Sequence, residues 1–175
     1  MAVDLKDYIA TIPNYPIEGV MFRDVTPILQ HGEAFREAVD QLAAIGKELK
    51  ADLICGPESR GFIFGMPLAY NLHKPFVLVR KAGKLPCEVV QKEYSLEYGT
   101  ATIEMHKDSI QPGQRVVIVD DLIATGGTIK AAAELVESLG GEVVKILFLL
   151  ELKGLEGRKL LEGYDVETVV SYDGK

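Results

Sequence analysis

Apolar and polar positions along the chain switch between two periods, and the switches mark strands and helices in turn. Residues 115–119 form an apolar, β-branched run, short enough for a parallel strand buried on both faces. From Thr128 the period changes, and Ile129, Ala132, Ala133, Val136 and Leu139 recur at helical spacing. Upstream, residues 52–56 and 75–80 read as further buried strands, with a helix predicted over 62–72 between them. Residues 33–49 predict an amphipathic helix with Phe35, Val39, Leu42 and Leu49 facing inward. Residues 4–12 predict a short helix ended by Pro13, and 20–23 a short extended piece. Residues 89–94 and 100–106 alternate as the two strands of a hairpin. After a helix stop at Gly140-Gly141, the pattern predicts a strand over 143–152, a short helix over 155–161 and a closing strand over 166–172. Alternating strands and helices imply an α/β fold with a mostly parallel central sheet flanked by helices.

Composition narrows the class. One domain fits 175 residues, and 47% hydrophobic with 26% charged residues is ordinary for a globular protein. With 19 basic against 26 acidic side chains the net charge is −7, which argues against a general nucleic-acid binder. Cys55 and Cys87 lack metal-ligand spacing and read as reduced thiols of a cytoplasmic protein. The N-terminal residues carry acids and do not read as a signal peptide. The longest apolar stretch, 143–150, is interrupted by Lys145 and is far too short to span a bilayer, so no membrane partner is expected.

Candidate chemistry concentrates where predicted strands end. Asp120 and Asp121 follow the strand 115–119, and a Gly-rich turn leads from them into the helix. A helix N-terminus offers unpartnered N–H groups and a favourable dipole to a phosphate. Gly126 and Gly127 allow close backbone approach, and Thr125 or Thr128 is expected to cap the helix. The Walker A spacing and its lysine are missing, as is Gly-x-Gly-x-x-Gly. Two carboxylates beside a phosphate cradle suit vicinal hydroxyls, or a Mg²⁺ bridging hydroxyls and phosphate. A second strand-to-helix turn, Gly56 to Gly61, offers an anion nest and the Arg60 guanidinium. A third, basic loop runs from Arg80 through Lys81 and Lys84 to Pro86.

Residues 117–128, VIVDDLIATGGT, resemble the phosphoribosyl pyrophosphate (PRPP) signature of the type I phosphoribosyltransferases. That resemblance implies the type I fold, with Asp120 and Asp121 on the ribose hydroxyls, directly or through Mg²⁺, and Ala124, Thr125, Gly126, Gly127 and Thr128 around the 5′-phosphate. Three further motifs are similar to the adenine phosphoribosyltransferase family: Gly19 to Asp24, Arg80 to Pro86, and Tyr94 to Gly99. The resemblance implies a single domain over 1–175, with a hood at about 1–30 and a flexible lid at about 81–105. Phe22 is then expected to stack on adenine, Met21 to offer its backbone, Arg23 to contact substrate and Leu155 to close the far side of the base. Glu58, Ser59, Arg60, Lys81 and Lys84 are expected on pyrophosphate, with Glu58–Ser59 a candidate cis peptide and Arg60 also reaching the base. Arg80 is expected to reach the partner subunit of a homodimer, and Glu97 and Tyr98 to be the acid/base residue and a transition-state contact. The implied reaction is adenine plus PRPP giving AMP and pyrophosphate with Mg²⁺, a purine-salvage step. Transfer to hypoxanthine, guanine or xanthine is the nearest alternative. A non-catalytic PRPP-binding regulator is the alternative from another class, disfavoured by the retained lid motif and the acidic charge.

Overall fold

The computed structural model describes residues 3–96 and 99–174. In chain order its elements are β1 (Ala10–Pro13), β2 (Met21–Asp24), α1 (Thr26–Gln30), α2 (Gly32–Lys47), β3 (Leu53–Pro57), α3 (Arg60–Asn71) and β4 (Phe76–Lys81). There follow β5 (Val89–Ser95), β6 (Thr100–His106), β7 (Arg115–Ile123), α4 (Gly127–Ser138), β8 (Glu142–Leu152) and β9 (Val166–Tyr172). The main sheet has seven strands in the order β5-β6-β4-β3-β7-β8-β9. β4, β3, β7, β8 and β9 are parallel, whereas β5 and β6 are antiparallel. From β3 the chain crosses through α3 to β4 on one side, while β7 pairs on the other side of β3. This change of direction opens a crevice at the carboxyl ends of β3 and β7, where open α/β sheets bind ligands.

The two-residue period of β7 sorts its side chains between two cores. Val117 and Val119 join Phe64 and Leu68 of α3 and Leu42 of α2. Val116 and Ile118 join Ile129, Ala132, Ala133 and Val136 of α4. Phe64, Phe148, Leu42 and Ile118 are fully buried in these layers. The expected Gly-Gly helix stop is present: Gly140 N–H donates to the Glu137 carbonyl and Gly141 N–H to the Val136 carbonyl.

Several expectations are corrected. Asp4 caps only a 3₁₀ turn, Leu5–Tyr8, and residues 10–13 leave it as a strand. Their β-branched Thr11 and Ile12 pair with Arg23 and Phe22 in the two-stranded hood. Thr26–Gln30 is an unforeseen helix, with Pro27 in its first turn and Asp24 Oδ1 accepting from both Thr26 N–H and Thr26 Oγ1. The predicted helix over 155–161 is two 3₁₀ turns, Lys153–Leu155 and Gly157–Lys159, broken at Glu156 with φ +54°. The lid strands β5 and β6 are the edge of the main sheet, because β6 pairs with β4 at Arg80↔Glu104 and Lys81↔Ile103. Among the described residues, no helix is long and apolar enough to cross a membrane.

Candidate active site

β7 does not end at Val119 as expected. Pairing with β8 continues through Asp120↔Phe148 and Leu122↔Leu150, so both aspartates stand within the strand. Asp121 is 4% exposed and pairs with the α3 guanidinium, Arg60 Nε to Asp121 Oδ2, at 2.8 Å. Asp120 Oδ1 accepts the Asp121 backbone N–H at 2.8 Å. Burial first, and then the neighbouring Asp121 charge, pushes the Asp120 carboxyl well above the ordinary range. Burial also raises Asp121, against the pull of Arg60. The Arg60 guanidinium offsets Asp121, while burial and the Asp121 charge oppose ionisation of Asp120. That seat suits a hydroxyl donor or a hard cation.

The turn after β7 opens into α4 without a side-chain cap, contrary to the expected role of Thr125 or Thr128. Gly126 takes the N-cap position at φ +85°, a conformation that glycine adopts at no steric cost. Space dictates it as well, since a Cβ on Gly126 would lie 2.8 Å from the Gly157 carbonyl oxygen. Gly157 is tighter still, for its Cβ would lie 2.3 Å from the Ala124 carbonyl oxygen. The 3₁₀ segment therefore braces the turn from behind. A bidentate fork onto buried Glu151 fixes that segment: Arg158 Nε and Nη2 donate to Glu151 Oε1 and Oε2 at 2.7 and 2.8 Å. Thr128 Oγ1 donates to the Tyr94 hydroxyl at 3.1 Å, and Lys92 Nζ meets Glu134 at 2.8 Å, so β5 is tied to α4.

Beside this turn, Glu58–Ser59 is a cis peptide, as the family resemblance implied. The Glu58 carboxylate gathers the basic loop. Arg80 Nε and Nη2 donate to Glu58 Oε2 at 3.2 and 3.1 Å, Lys84 Nζ lies 3.3 Å from Oε1, and Lys81 N–H donates to Oε1 at 2.7 Å. Burial raises the Glu58 carboxyl, but these three partners outweigh it and hold it below its ordinary range. Arg80 thus lies against Glu58 of its own chain.

Two cavities result. One, of about 190 Å³, is lined by Arg60, Phe148 and residues 120–129. The other, of about 320 Å³, is lined by Glu58, Ser59 and Lys81 among others. Arg60, Asp120, Asp121 and Thr128 line both, so a phosphate-sized hollow and a larger hollow of mixed charge, carrying Arg60 and Lys81, meet across the acid pair.

The base side is more open. Phe22 is half-buried and meets Tyr15 edge to face, centroids 5.2 Å apart. Met21 and Leu155 are 39% and 37% exposed. Arg23 is placed in the seam of the hood: its guanidinium lies 4.1 Å over the Tyr172 ring and donates to Thr11 Oγ1, while its buried Nε has no partner among the described residues. Arg23 thus anchors the strand that carries Phe22. Glu97 and Tyr98 lie outside the described residues. Sequence reasoning missed Glu104, Glu151, Arg158 and Gly157, none of which belongs to a motif. Glu104, 1% exposed on β6, accepts hydrogen bonds from the basic loop. Among the described residues no cluster of three or more His, Cys, Asp or Glu would hold a metal on its own.

A phosphoribosyl transferase domain model matches residues 25–172. The chain is 68% identical over 171 residues to an adenine phosphoribosyltransferase of Agathobacter rectalis, covering 98% of each chain. Its fold matches the solved adenine phosphoribosyltransferase of Thermoanaerobacter pseudethanolicus with a TM-score of 0.92 at 54% identity, covering 96% of this chain and 98% of that one. The Saccharomyces cerevisiae enzyme, solved with adenine and D-2,5-dideoxy-2,5-imino-altritol 1,6-bisphosphate, matches at a TM-score of 0.89 and 44% identity, over 95% and 96% of the two chains.

Proposed function

Because this chain belongs to the phosphoribosyltransferase family, among its adenine phosphoribosyltransferases, we propose an assignment of its residues to the adenine reaction. The chain transfers the phosphoribosyl group of PRPP to adenine, giving AMP and pyrophosphate, as in purine salvage. The observation that carries the assignment is the pair of hollows meeting at Asp120 and Asp121. In this reading residues 124–128 wrap the 5′-phosphate, the acid pair holds the ribose hydroxyls, and Ser59, Arg60, Lys81 and Lys84 face pyrophosphate. Phe22 stacks on adenine, the Met21 backbone reads its edge, and Leu155 covers the other side.

Holding PRPP in register with the base converts a two-body encounter into a local one, an effect that reaches roughly 7–11 kcal/mol at its best. As the C–O bond to pyrophosphate breaks, Arg60 and Lys84 stabilise charge on the leaving group. The Asp120 and Asp121 carboxylates favour positive charge at the anomeric carbon. Glu97 accepts or returns a purine proton, a contribution typically on the order of 10²–10⁴-fold. Asp120 and Asp121, the hard oxygen donors of the site, would hold a magnesium ion, which when bound would supply charge neutralisation for the departing pyrophosphate.

A homodimer is proposed as well, supported by the apolar groove of about 470 Å³ between α2 and α3, lined by Phe35, Val39, Met66 and Tyr70. Arg80 serves a partner's site only when its Glu58 pair opens. The negative net charge and the buried Cys55 thiol support a cytoplasmic location. Glu97→Gln tests the acid/base role: kcat falls by about 10²–10⁴-fold with PRPP affinity retained, and an unchanged kcat removes Glu97 from the chemistry. Chelating divalent cations with EDTA abolishes turnover if magnesium is required.

A further inference from the structure

Glu104 stands in β6 between Ile103 and Met105, both buried in the core beneath α4. Strand alternation turns Glu104 to the opposite face, where the basic loop covers it. Its carboxylate accepts three consecutive backbone N–H groups: Gly83 on Oε2 at 3.0 Å, and Lys84 and Leu85 on Oε1 at 2.9 and 2.7 Å. Gln91 Nε2 completes the set, donating to Oε2 at 3.0 Å. Successive amides aimed at one point form an anion nest, and here the protein's own carboxylate fills it. These bonds, that of Leu85 foremost, outweigh burial and hold the carboxyl down at about 2.

The nest lies directly behind the proposed pyrophosphate contacts. Glu104 is the register partner of Arg80, and Lys84 projects from the nest to meet Glu58, which lines the larger hollow. A lysine ammonium on a flexible four-carbon stem is placed only as well as its backbone is placed. We infer that Glu104 is a positioning residue for phosphoribosyl transfer, its buried carboxylate fixing the backbone of 83–85 so that Lys84 is presented to pyrophosphate. The inference rests on the reading of Lys84 given above.

An amide at this position cannot serve all three donors, since its NH₂ would face an N–H group. The test is calorimetric binding of pyrophosphate and, separately, ribose 5-phosphate to the wild type, Glu104→Gln, Gln91→Ala and Lys84→Ala. Glu104→Gln is expected to weaken pyrophosphate binding about tenfold, the size of one lost charge-assisted bond, with ribose 5-phosphate held within about twofold. The KM for PRPP rises while that for adenine stays. Gln91→Ala, which removes one neutral donor and leaves the loop bonds, shifts pyrophosphate the same way by about threefold. It decides the matter if Glu104→Gln does not fold. Equal weakening of both ligands makes Glu104 a general structural residue and overturns the inference. So does unchanged pyrophosphate binding in a folded Glu104→Gln when Lys84→Ala has lost it. Unchanged binding in Lys84→Ala overturns instead the reading of the basic loop.

Discussion

The turn at 124–128 and the loop at 82–85 both follow strands that end at the same edge of the sheet, yet they are held differently. The first is fixed by steric fit, with Gly126 and Gly157 back to back and the bidentate Arg158–Glu151 fork behind them. The second is fixed by charge, with Glu104 gathering backbone amides and Glu58 gathering Arg80, Lys81 and Lys84. In the proposed assignment the steric seat presents one rigid shape to the 5′-phosphate, a group present in substrate and product alike. The charged seat would exchange the Glu58 carboxylate for an arriving pyrophosphate while Glu104 keeps the loop. The acid pair Asp120–Asp121 is the seam between them.

The largest effect is expected at that seam. Asp120→Asn with Asp121→Asn abolishes magnesium-dependent PRPP binding by calorimetry and lowers turnover at least about 10²–10³-fold. The same change raises Tm, because burial of both, and for Asp120 also the neighbouring Asp121 charge, holds these carboxyls above their ordinary values. Retained PRPP binding would detach the pair from the substrate.

Next is the steric seat. Gly157→Ala drives a methyl into the Ala124 carbonyl, which is backbone and cannot yield cheaply. Stability falls by roughly 1–3 kcal/mol, and affinity for ribose 5-phosphate falls with it while pyrophosphate binding is kept. Denaturant melts and calorimetry measure the two; loss of both ligands together would erase the distinction between the seats.

Smallest is a difference in pH response. Glu104 is held down from 4.5 to about 2, so its contribution to stability is full above the ordinary carboxyl range and fades as pH falls toward 2. The Asp120–Asp121 pair has the opposite sign: its raised carboxyls oppose folding when ionised, and that opposition is relieved as pH falls through the raised values. Amide resonances of Gly83, Lys84 and Leu85 therefore hold their shifts through pH 4–5 and move only near 2. Movement at 4–5 would show that the carboxylate does not hold the loop.

These differences also explain what the chain discloses before it is folded. The seat built by local sequence is legible, because β-branched residues 116–119, the acid pair and Thr125 to Thr128 are contiguous and each answers to a short-range rule. The PRPP-type motif and the cis Glu58–Ser59 peptide follow from it and from the resemblance. Long-range partners are not legible. Residues 10–13 continue a helical spacing and become a strand only by pairing with 21–24. Asp120 and Asp121 look like a turn until β8 extends alongside them. Glu104 reads as the polar face of an alternating strand, since nothing nearby in sequence says that 82–85 will cover it. For Arg23 the resemblance implies a contact with substrate, and nothing nearby in sequence shows that Tyr172, far along the chain, comes beneath it. The break at Glu156 was within reach, because Gly154 and Gly157 flank it, and a regular helix through 155–161 ignores both.

The account as a whole is tested most directly by assaying nucleotide formation from PRPP and Mg²⁺ with adenine, hypoxanthine, guanine and xanthine side by side. AMP from adenine, with negligible product from the other three, is the predicted result. Comparable or preferential turnover of another base would contradict the reading of the hood around Phe22 while leaving the two phosphate seats in place, and PRPP binding without product from any base would contradict the catalytic assignment.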